Sequence, residues 1–324
     1  MKYKIPFLLA SMLFLGSARS GLAAQPGREE PAEVKKSPPT KYIRLLRDED
    51  QEPMALQTAT VRFTSKAGTG GVTVDLVGVV HIGDRAYYKK LNKQFEQYDV
   101  VLFELVAPPN TVIPKGGKRD SNNPLAFMQT AMKAVLGLES QTEQIDYTRK
   151  NFLHADLSPK QMAEAIRKRG DTALTLTLSI AADLLREQNL QEMKKKNAKR
   201  GAKAEPEADL LSMLLDPDGA VKLKRVLAEQ LAGAGSGETG LGPTINTILV
   251  SDRNAAAIGV LQKELAKGTK KIAIFYGAAH MPDFERRLRD DFGLRPQTPL
   301  WLDAWDLRSR PRGGLGDLLK QLLP

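Results

Sequence analysis

This chain of 324 residues contains three histidines, and two of them end the same short motif. His81 closes a G-x-x-H motif at 78–81, and His280 closes another at 277–280. Imidazole nitrogens bind transition metals and transfer protons near neutral pH. One G-x-x-H alone would carry no weight, but its repetition at two of three histidines indicates a repeated unit with a chemical role. The chain has no cysteine, which excludes thiolate metal sites, iron–sulfur clusters, cysteine nucleophiles and disulfides.

Acidic residues recur at the same distance from both of these histidines. Asp84 and Asp283 each follow a motif histidine by three residues, where an aspartate can cap the next helix. Glu104 and Asp303 each follow by 23 residues, and both lie in short apolar segments. We interpret this spacing as one strand–G-x-x-H–helix–strand unit that occurs twice, which makes Asp303 a further candidate for the site.

Glu104 and the two motif histidines are expected to form a metal site. Open α/β sheets bind ligands beyond the carboxyl ends of their parallel strands, where His81, His280 and Glu104 should meet. A carboxylate with apolar neighbours is costly unless it is paired or metal-bound. Two imidazoles and a carboxylate are ordinary ligands for zinc, manganese, cobalt or iron, and such a metal would generate hydroxide and polarise a carbonyl for hydrolysis. The alternative is two core histidines and a Glu104–Arg253 ion pair.

Three other side chains have candidate roles at this site. Arg253 follows a serine and an aspartate on a predicted helix, and it could hold an oxyanion or a substrate carboxylate, or pair with a buried acid. His154 is interpreted as a loop or capping residue, with a third imidazole at the site as the alternative. Asp75 is separated from His81 by an even number of positions, so both would face the same side of an extended strand. Asp75 could therefore orient the His81 ring. The segment 235–240 matches G-x-G-x-x-G, but no strand precedes it, so we predict no dinucleotide cofactor.

The pattern around these residues predicts the elements that position them. The run 72–81 is β-branched and apolar on both faces, which is typical of a strand inside a parallel sheet. A helix over 84–97 and a second buried strand at 100–105 complete a βαβ unit. The same order is predicted again later in the chain, with strands at 271–276 and 299–304 and a helix at 283–291. Two more strands are predicted before the first unit, at 41–46 and 56–64.

The middle of the chain, 107–245, has mainly helical periodicity and reads as a large insertion or cap. Helices are predicted within it at 124–136, 158–168, 171–192, 208–215 and 218–232. The next predicted helix covers 244–267. The predicted fold class is therefore α/β. Two related βαβ units form one mostly parallel sheet core, with a large central helical insertion.

The ends of the chain predict export. Residues 1–24 resemble a signal peptide, with an apolar run too short to span a bilayer, and 25–40 form a proline-rich linker. A short amphipathic helix is predicted within 311–324. We expect a periplasmic or extracellular protein without a stable membrane span.

The formal charge of +10 comes with 6% aromatic residues and no visible basic face, so no nucleic-acid partner is expected.

Taken together, these motifs resemble the TraB/PrgY/GumN family, also called TIKI/TraB. The resemblance covers about 41–307, within a predicted domain at 41–310. The segments that carry it are VDLVGVVHIGDRAYYKKL, VVLFEL, SDRNAAAIGVL and IAIFYGAAHMPDFERRL. It implies an α/β core of the erythromycin-esterase/ChaN-like type. In one branch it implies metal-dependent proteolysis with manganese or cobalt favoured, with His81 and His280 as the motif histidines and Glu104 and Arg253 as the family's glutamate and arginine. Other branches are described as inhibiting or sequestering peptide pheromones.

The favoured hypothesis is an exported metal-dependent hydrolase that acts on peptides. His81 and His280 would bind the metal, Glu104 would be a third ligand or would activate water, and Arg253 would stabilise an oxyanion or anchor the substrate. The alternative is a protein that binds or sequesters a peptide or small molecule at the same residues without turnover.

Overall fold

A computed structural model of the chain describes residues 41–65, 71–108, 111–116, 136–168, 219–234 and 250–308. These residues belong to the unit Pro39–Pro324. Several predicted features lie outside the described residues. They are the signal peptide, the linker, the C-terminal helix, the segment 235–240, the insertion helices at 171–192 and 208–215, and nearly all of the helix at 124–136.

Ten strands and six helices are described. The strands are β1 (Ile43–Arg47), β2 (Pro53–Thr64), β3 (Thr73–Val79), β4 (Ile82–Gly83), β5 (Val100–Phe103), β6 (Glu139–Ser140), β7 (Phe152–His154), β8 (Lys271–Gly277), β9 (Arg295–Pro296) and β10 (Leu300–Asp306). The helices are α1 (Arg85–Phe95), α2 (Gln141–Gln144), α3 (Pro159–Lys168), α4 (Gly219–Ala234), α5 (Asp252–Ala266) and α6 (Met281–Asp290). A short 3-10 turn, Ala278–His280, joins β8 to α6.

The main sheet is mixed, and its central strands are parallel. Eight strands form it in the order β1-β2-β3-β8-β5-β7, with β9 and β10 also paired to β2. The neighbours β3, β8, β5 and β7 run parallel, whereas β2 is antiparallel to each of its partners. The structure therefore confirms the α/β class. Because β8 lies between β3 and β5, the carboxyl ends of the strands that precede His81, His280 and Glu104 are adjacent.

The predicted second βαβ unit is wrong. The segment expected to follow α6 as a parallel strand is β10, and it pairs antiparallel with β2 instead of joining β8. The strand β10 is only partly buried, in contrast to the fully buried interior of β8, which fits a strand outside the parallel core. The insertion also differs from its predicted helical character, because β7 lies within it and pairs with β5.

Helices cover both faces of the parallel strands. On one face the aromatic side of α1 packs against alternate residues of β3 and β8, and on the other face α5 and α6 pack against the intervening residues. Fully burying one large apolar side chain stabilises the fold by about 1.5–3 kcal/mol, so this arrangement holds the strand ends firmly. The principal contacts from the helices come from Tyr87, Tyr88, Leu91 and Phe95 of α1, from Ala257, Ile258 and Leu261 of α5, and from Phe284 and Leu288 of α6.

The insertion helix α4 is tied to the sheet by ion pairs. Lys224 is buried and lies 3.2 Å from Asp84, while Glu229 contacts Arg47 of β1 at 2.5 Å. Asp84 does stand at the N-terminus of α1, as predicted, but its carboxylate does not cap that helix. It bonds Lys224 and the backbone N–H of Asp306 instead. Among the described helices, none is long and apolar enough to cross a membrane.

Candidate functional site

The structure brings His81, Glu104 and His280 together around Gly277. The point where a Cβ would stand on Gly277 lies 3.4 Å from Glu104 Oε2, 3.6 Å from His81 Nε2 and 3.8 Å from His280 Cδ2. His81 comes two residues after β3, Glu104 directly follows β5, and His280 ends the turn after β8. The three side chains thus meet at the carboxyl edge of the parallel strands, and the missing side chain of Gly277 leaves space between them.

Glu104 is buried and held on two sides. Its Oε2 accepts a hydrogen bond of 2.7 Å from the Gly277 N–H, and its Oε1 accepts one of 2.7 Å from Arg253 Nη2. His280 Nε2 lies 3.5 Å from the same Oε1. Burial alone would raise the pKa of Glu104, but the contact with His280 and the charges of His280, His81 and Arg253 hold that pKa well below its usual range. Glu104 is therefore ionised in the folded protein.

Asn254 fixes the orientation of the His280 ring. The amide nitrogen of Asn254 donates to the His280 backbone oxygen and to Asp283 Oδ2, both at 3.0 Å. These two groups only accept hydrogen bonds, so the amide oxygen must face His280 Nδ1, which lies 2.7 Å away. His280 therefore keeps a proton on Nδ1 and directs Nε2 at Glu104. Neutral His280 offers a lone pair there, and protonated His280 offers an N–H.

Gln141 orients His81 in the same way. Gln141 Oε1 lies 3.0 Å from His81 Nδ1, while its amide nitrogen donates to the Tyr147 hydroxyl at 2.9 Å and its backbone N–H donates to the His81 oxygen at 2.9 Å. The strand pair β4–β6 places Gln141 beside His81, because β4 directly follows His81 and β6 directly precedes Gln141. The His81 side is the open side of the site, since His81 is exposed whereas Glu104 and His280 are not.

Arg253 is held by a second buried carboxylate, Asp156. Arg253 Nε and Nη2 donate to the two oxygens of Asp156 at 3.0 and 2.6 Å, and Nη2 also reaches Glu104. Burial would lower the pKa of Arg253, but the bonds to Asp156 and the charges of both carboxylates raise it above its ordinary value. The sequence alternative for Arg253, an ion pair with a buried acid, is what the structure contains.

Asp75 is not a partner of His81. It forms two hydrogen bonds of 2.9 Å with Arg62 and accepts one of 2.7 Å from the Tyr98 hydroxyl. Asp75 is the third residue of β3 and lies toward the strand end opposite the site, whereas His81 follows the other end by two residues. Its partners come from the neighbouring strand β2 and from the chain just after α1.

Two further predicted residues, His154 and Asp303, have partners elsewhere. His154 ends β7, and its Nε2 lies 2.6 Å from the backbone oxygen of Leu105, to which it donates. Asp303 accepts a hydrogen bond of 2.7 Å from Gln57 on β2, because β10 pairs with that strand and not with the parallel core. Asp283, predicted as a helix cap, lies inside α6 and bonds Asn254 and two arginines of its own helix.

One pair of donor atoms in this cluster is spaced as two ligands of a divalent metal would be. Two ligand atoms about 2.1 Å from one tetrahedral metal lie about 3.4 Å apart, and His280 Nε2 and Glu104 Oε1 are separated by 3.5 Å. Within the described residues, no three histidine or carboxylate side chains already form a complete metal-binding group. A third protein ligand would require His81 to move toward the other two.

Four residues that matter to this geometry were not predicted as members of the site: Gln141, Asp156, Asn254 and Gly277. Asn254 and Gly277 stand in the motifs that carry His280 and Arg253, so their positions gave a signal. Comparison with known proteins yields no matching protein family, no matching curated protein and no matching solved structure. The function therefore has to be inferred from the residues of the site themselves.

Proposed function

We propose that this protein is an exported metal-dependent hydrolase that acts on peptides. One observation carries the proposal: two histidines, each with Nδ1 facing an amide oxygen, and the Glu104 carboxylate lie together around Gly277. Hydrogen bonds to Nδ1 are the usual way in which proteins orient metal-binding histidines and expose Nε2. The sequence resemblance to the TraB/PrgY/GumN family supports the same function and suggests manganese or cobalt.

The residues have distinct roles in this proposal. His280 and Glu104 would hold the metal, with His81 completing the set from the exposed side, where substrate would enter. A bound divalent metal supplies an activated water and polarises a carbonyl. Glu104 would either be a metal ligand or activate the water, since one of its oxygens faces His280 and both accept hydrogen bonds from the protein.

In this proposal Arg253 supports Glu104. Its Nε and Nη2 both donate to carboxylates of the protein, and Nη2 contacts Glu104 directly. Peptide substrates and export rest on the family resemblance and on the N-terminal sequence pattern. Ligand capture without turnover uses the same residues and is separated from hydrolysis by the experiment below.

The test is peptide cleavage with and without added metal. The purified chain is incubated with a mixed peptide library and manganese, cobalt, zinc or iron, and products are identified by mass spectrometry. We expect metal-dependent cleavage that is lost in His280→Ala and Glu104→Gln. Asp75→Asn is the matched control for Glu104→Gln, because Asp75 is also a buried carboxylate that bonds an arginine but lies toward the other end of β3, and it should cleave normally.

Cleavage that persists in His280→Ala and Glu104→Gln would refute the proposed site. Peptide retention by the parent chain without any product, weakened by the same two substitutions, would support the capture function instead.

A further inference from the structure

Asp156 is a buried carboxylate that sequence analysis did not place in the site. Its side chain has no exposed surface, and it follows β7 by two residues. Its two oxygens accept hydrogen bonds from Arg253 Nε and Nη2 at 3.0 and 2.6 Å. A carboxylate that meets a guanidinium through two parallel bonds fixes the plane of the guanidinium as well as its position.

The orientation that Asp156 gives Arg253 reaches Glu104. Nη2 of Arg253 is shared between Asp156 Oδ2 at 2.6 Å and Glu104 Oε1 at 2.7 Å. The Gly277 N–H holds the other oxygen of Glu104 at 2.7 Å. The carboxylate is thus clamped from two sides, and one side of the clamp depends on Asp156. This leaves Oε1 facing His280 Nε2 at 3.5 Å.

We infer that Asp156 is a positioning residue: it holds Arg253 against Glu104 and so fixes the carboxylate that faces His280. The consequence for metal binding rests on the proposed function. Asp156 touches neither metal nor substrate, and its effect passes through Arg253. Mutation of such outer partners typically weakens metal binding by about 10–100-fold, and this is the loss expected for Asp156→Asn.

The first measurement is the Mn²⁺ affinity of the full chain by calorimetry. Asp156→Asn keeps the size of the side chain and removes its charge. Asp75→Asn is the matched control, because Asp75 is also a buried aspartate that bonds an arginine twice, but it lies away from the site. We expect Asp75→Asn to bind Mn²⁺ like the parent chain. Equal affinity in Asp156→Asn and Asp75→Asn would overturn the inference.

Combining Asp156→Asn with a substitution of Arg253 tests whether Asp156 acts through Arg253. In Arg253→Gln, the further change Asp156→Asn should alter the affinity by no more than about twofold, the usual error of such comparisons, because the residue through which Asp156 acts is absent. The full 10–100-fold loss in that background would mean that Asp156 acts directly, and positioning would be refuted.

A metal-free readout separates this inference from the proposed function. In nitrogen-15 NMR of the metal-free chain, the guanidinium protons of Arg253 should exchange slowly with water. The guanidinium group itself should rotate slowly. Asp156→Asn should abolish this signature, and Asp75→Asn should preserve it. A parent chain that binds no metal would refute the proposed function, yet this spectrum would still decide the positioning role. An Arg253 signal unchanged in Asp156→Asn would refute that role.

Discussion

Replacing Gly277 with alanine tests whether the space between His81, Glu104 and His280 is a binding site. Gly277 has φ −52° and ψ 141°, which any L-residue adopts without strain. The new methyl would lie 3.4–3.8 Å from its three nearest atoms, at ordinary van der Waals distances. The backbone N–H that bonds Glu104 is retained. Because alanine restricts the unfolded chain, we expect the free energy of unfolding to rise by about 0.4–1 kcal/mol.

The same methyl would stand among the three side chains that are proposed to bind the metal. We therefore expect Gly277→Ala to fold at least as well as the parent chain and to lose metal binding and peptide cleavage. The assays are urea denaturation for stability and calorimetric titration with Mn²⁺ for the site. This pairing of gained stability with lost binding is hard to obtain from a residue whose role is only structural.

Two other glycines are controls for this substitution. A Cβ on Gly259 in α5 meets nothing within 4 Å, so Gly259→Ala should stabilise the helix by about 0.5–1 kcal/mol and leave Mn²⁺ affinity unchanged. A Cβ on Gly78 would lie 3.3 Å from both Ala59 O and Met281 Cγ, so Gly78→Ala should destabilise the fold by about 1–3 kcal/mol. Parental Mn²⁺ affinity in Gly277→Ala, or its failure to fold, would refute the reasoning.

Two further predictions concern residues that hold the site. Glu104→Gln breaks a buried ion pair and should lower the free energy of unfolding by about 3 kcal/mol at neutral pH, measured in urea. Because the pKa of Glu104 is lowered, its contribution is complete above its ordinary pKa of about 4.3 and is lost as the pH falls below that value. The stability difference between parent and variant should therefore shrink in acid, and a difference constant down to pH 2 would contradict the assignment. Asn254→Ala frees His280 Nδ1, so Mn²⁺ should bind about 10–100-fold more weakly, with a changed nitrogen-15 shift of the His280 ring. An unchanged shift would show that Asn254 does not set the tautomer.

The sequence pattern located the strands of the parallel core well. The runs 72–81, 100–105 and 271–276 correspond to β3, β5 and β8, because fully buried strands are β-branched and apolar on both faces. The pairing of these strands could not be read in the same way. The insertion of β8 between β3 and β5 depends on contacts between distant parts of the chain, and so does the antiparallel place of β10.

The site was predictable only in part for a related reason. His81, Glu104 and His280 stand at strand ends, and the ends of adjacent parallel strands necessarily meet. Asp156 follows a strand of three residues inside a segment of helical character, so no local signal tied it to Arg253. Asp75 was placed beside His81 by its spacing along the chain, but it lies toward the other end of β3 and bonds Tyr98.

Metal content tests the central claim most directly. The parent chain, His280→Ala and His81→Ala are dialysed against a mixture of manganese, cobalt, zinc and iron, and bound metal is counted by mass spectrometry. The proposed site predicts about one metal ion per parent chain, and none in His280→Ala, since removing a ligand removes the binding free energy it supplied. His81→Ala should retain less metal than the parent chain. Equal metal content in all three proteins, or none in any of them, would contradict the account.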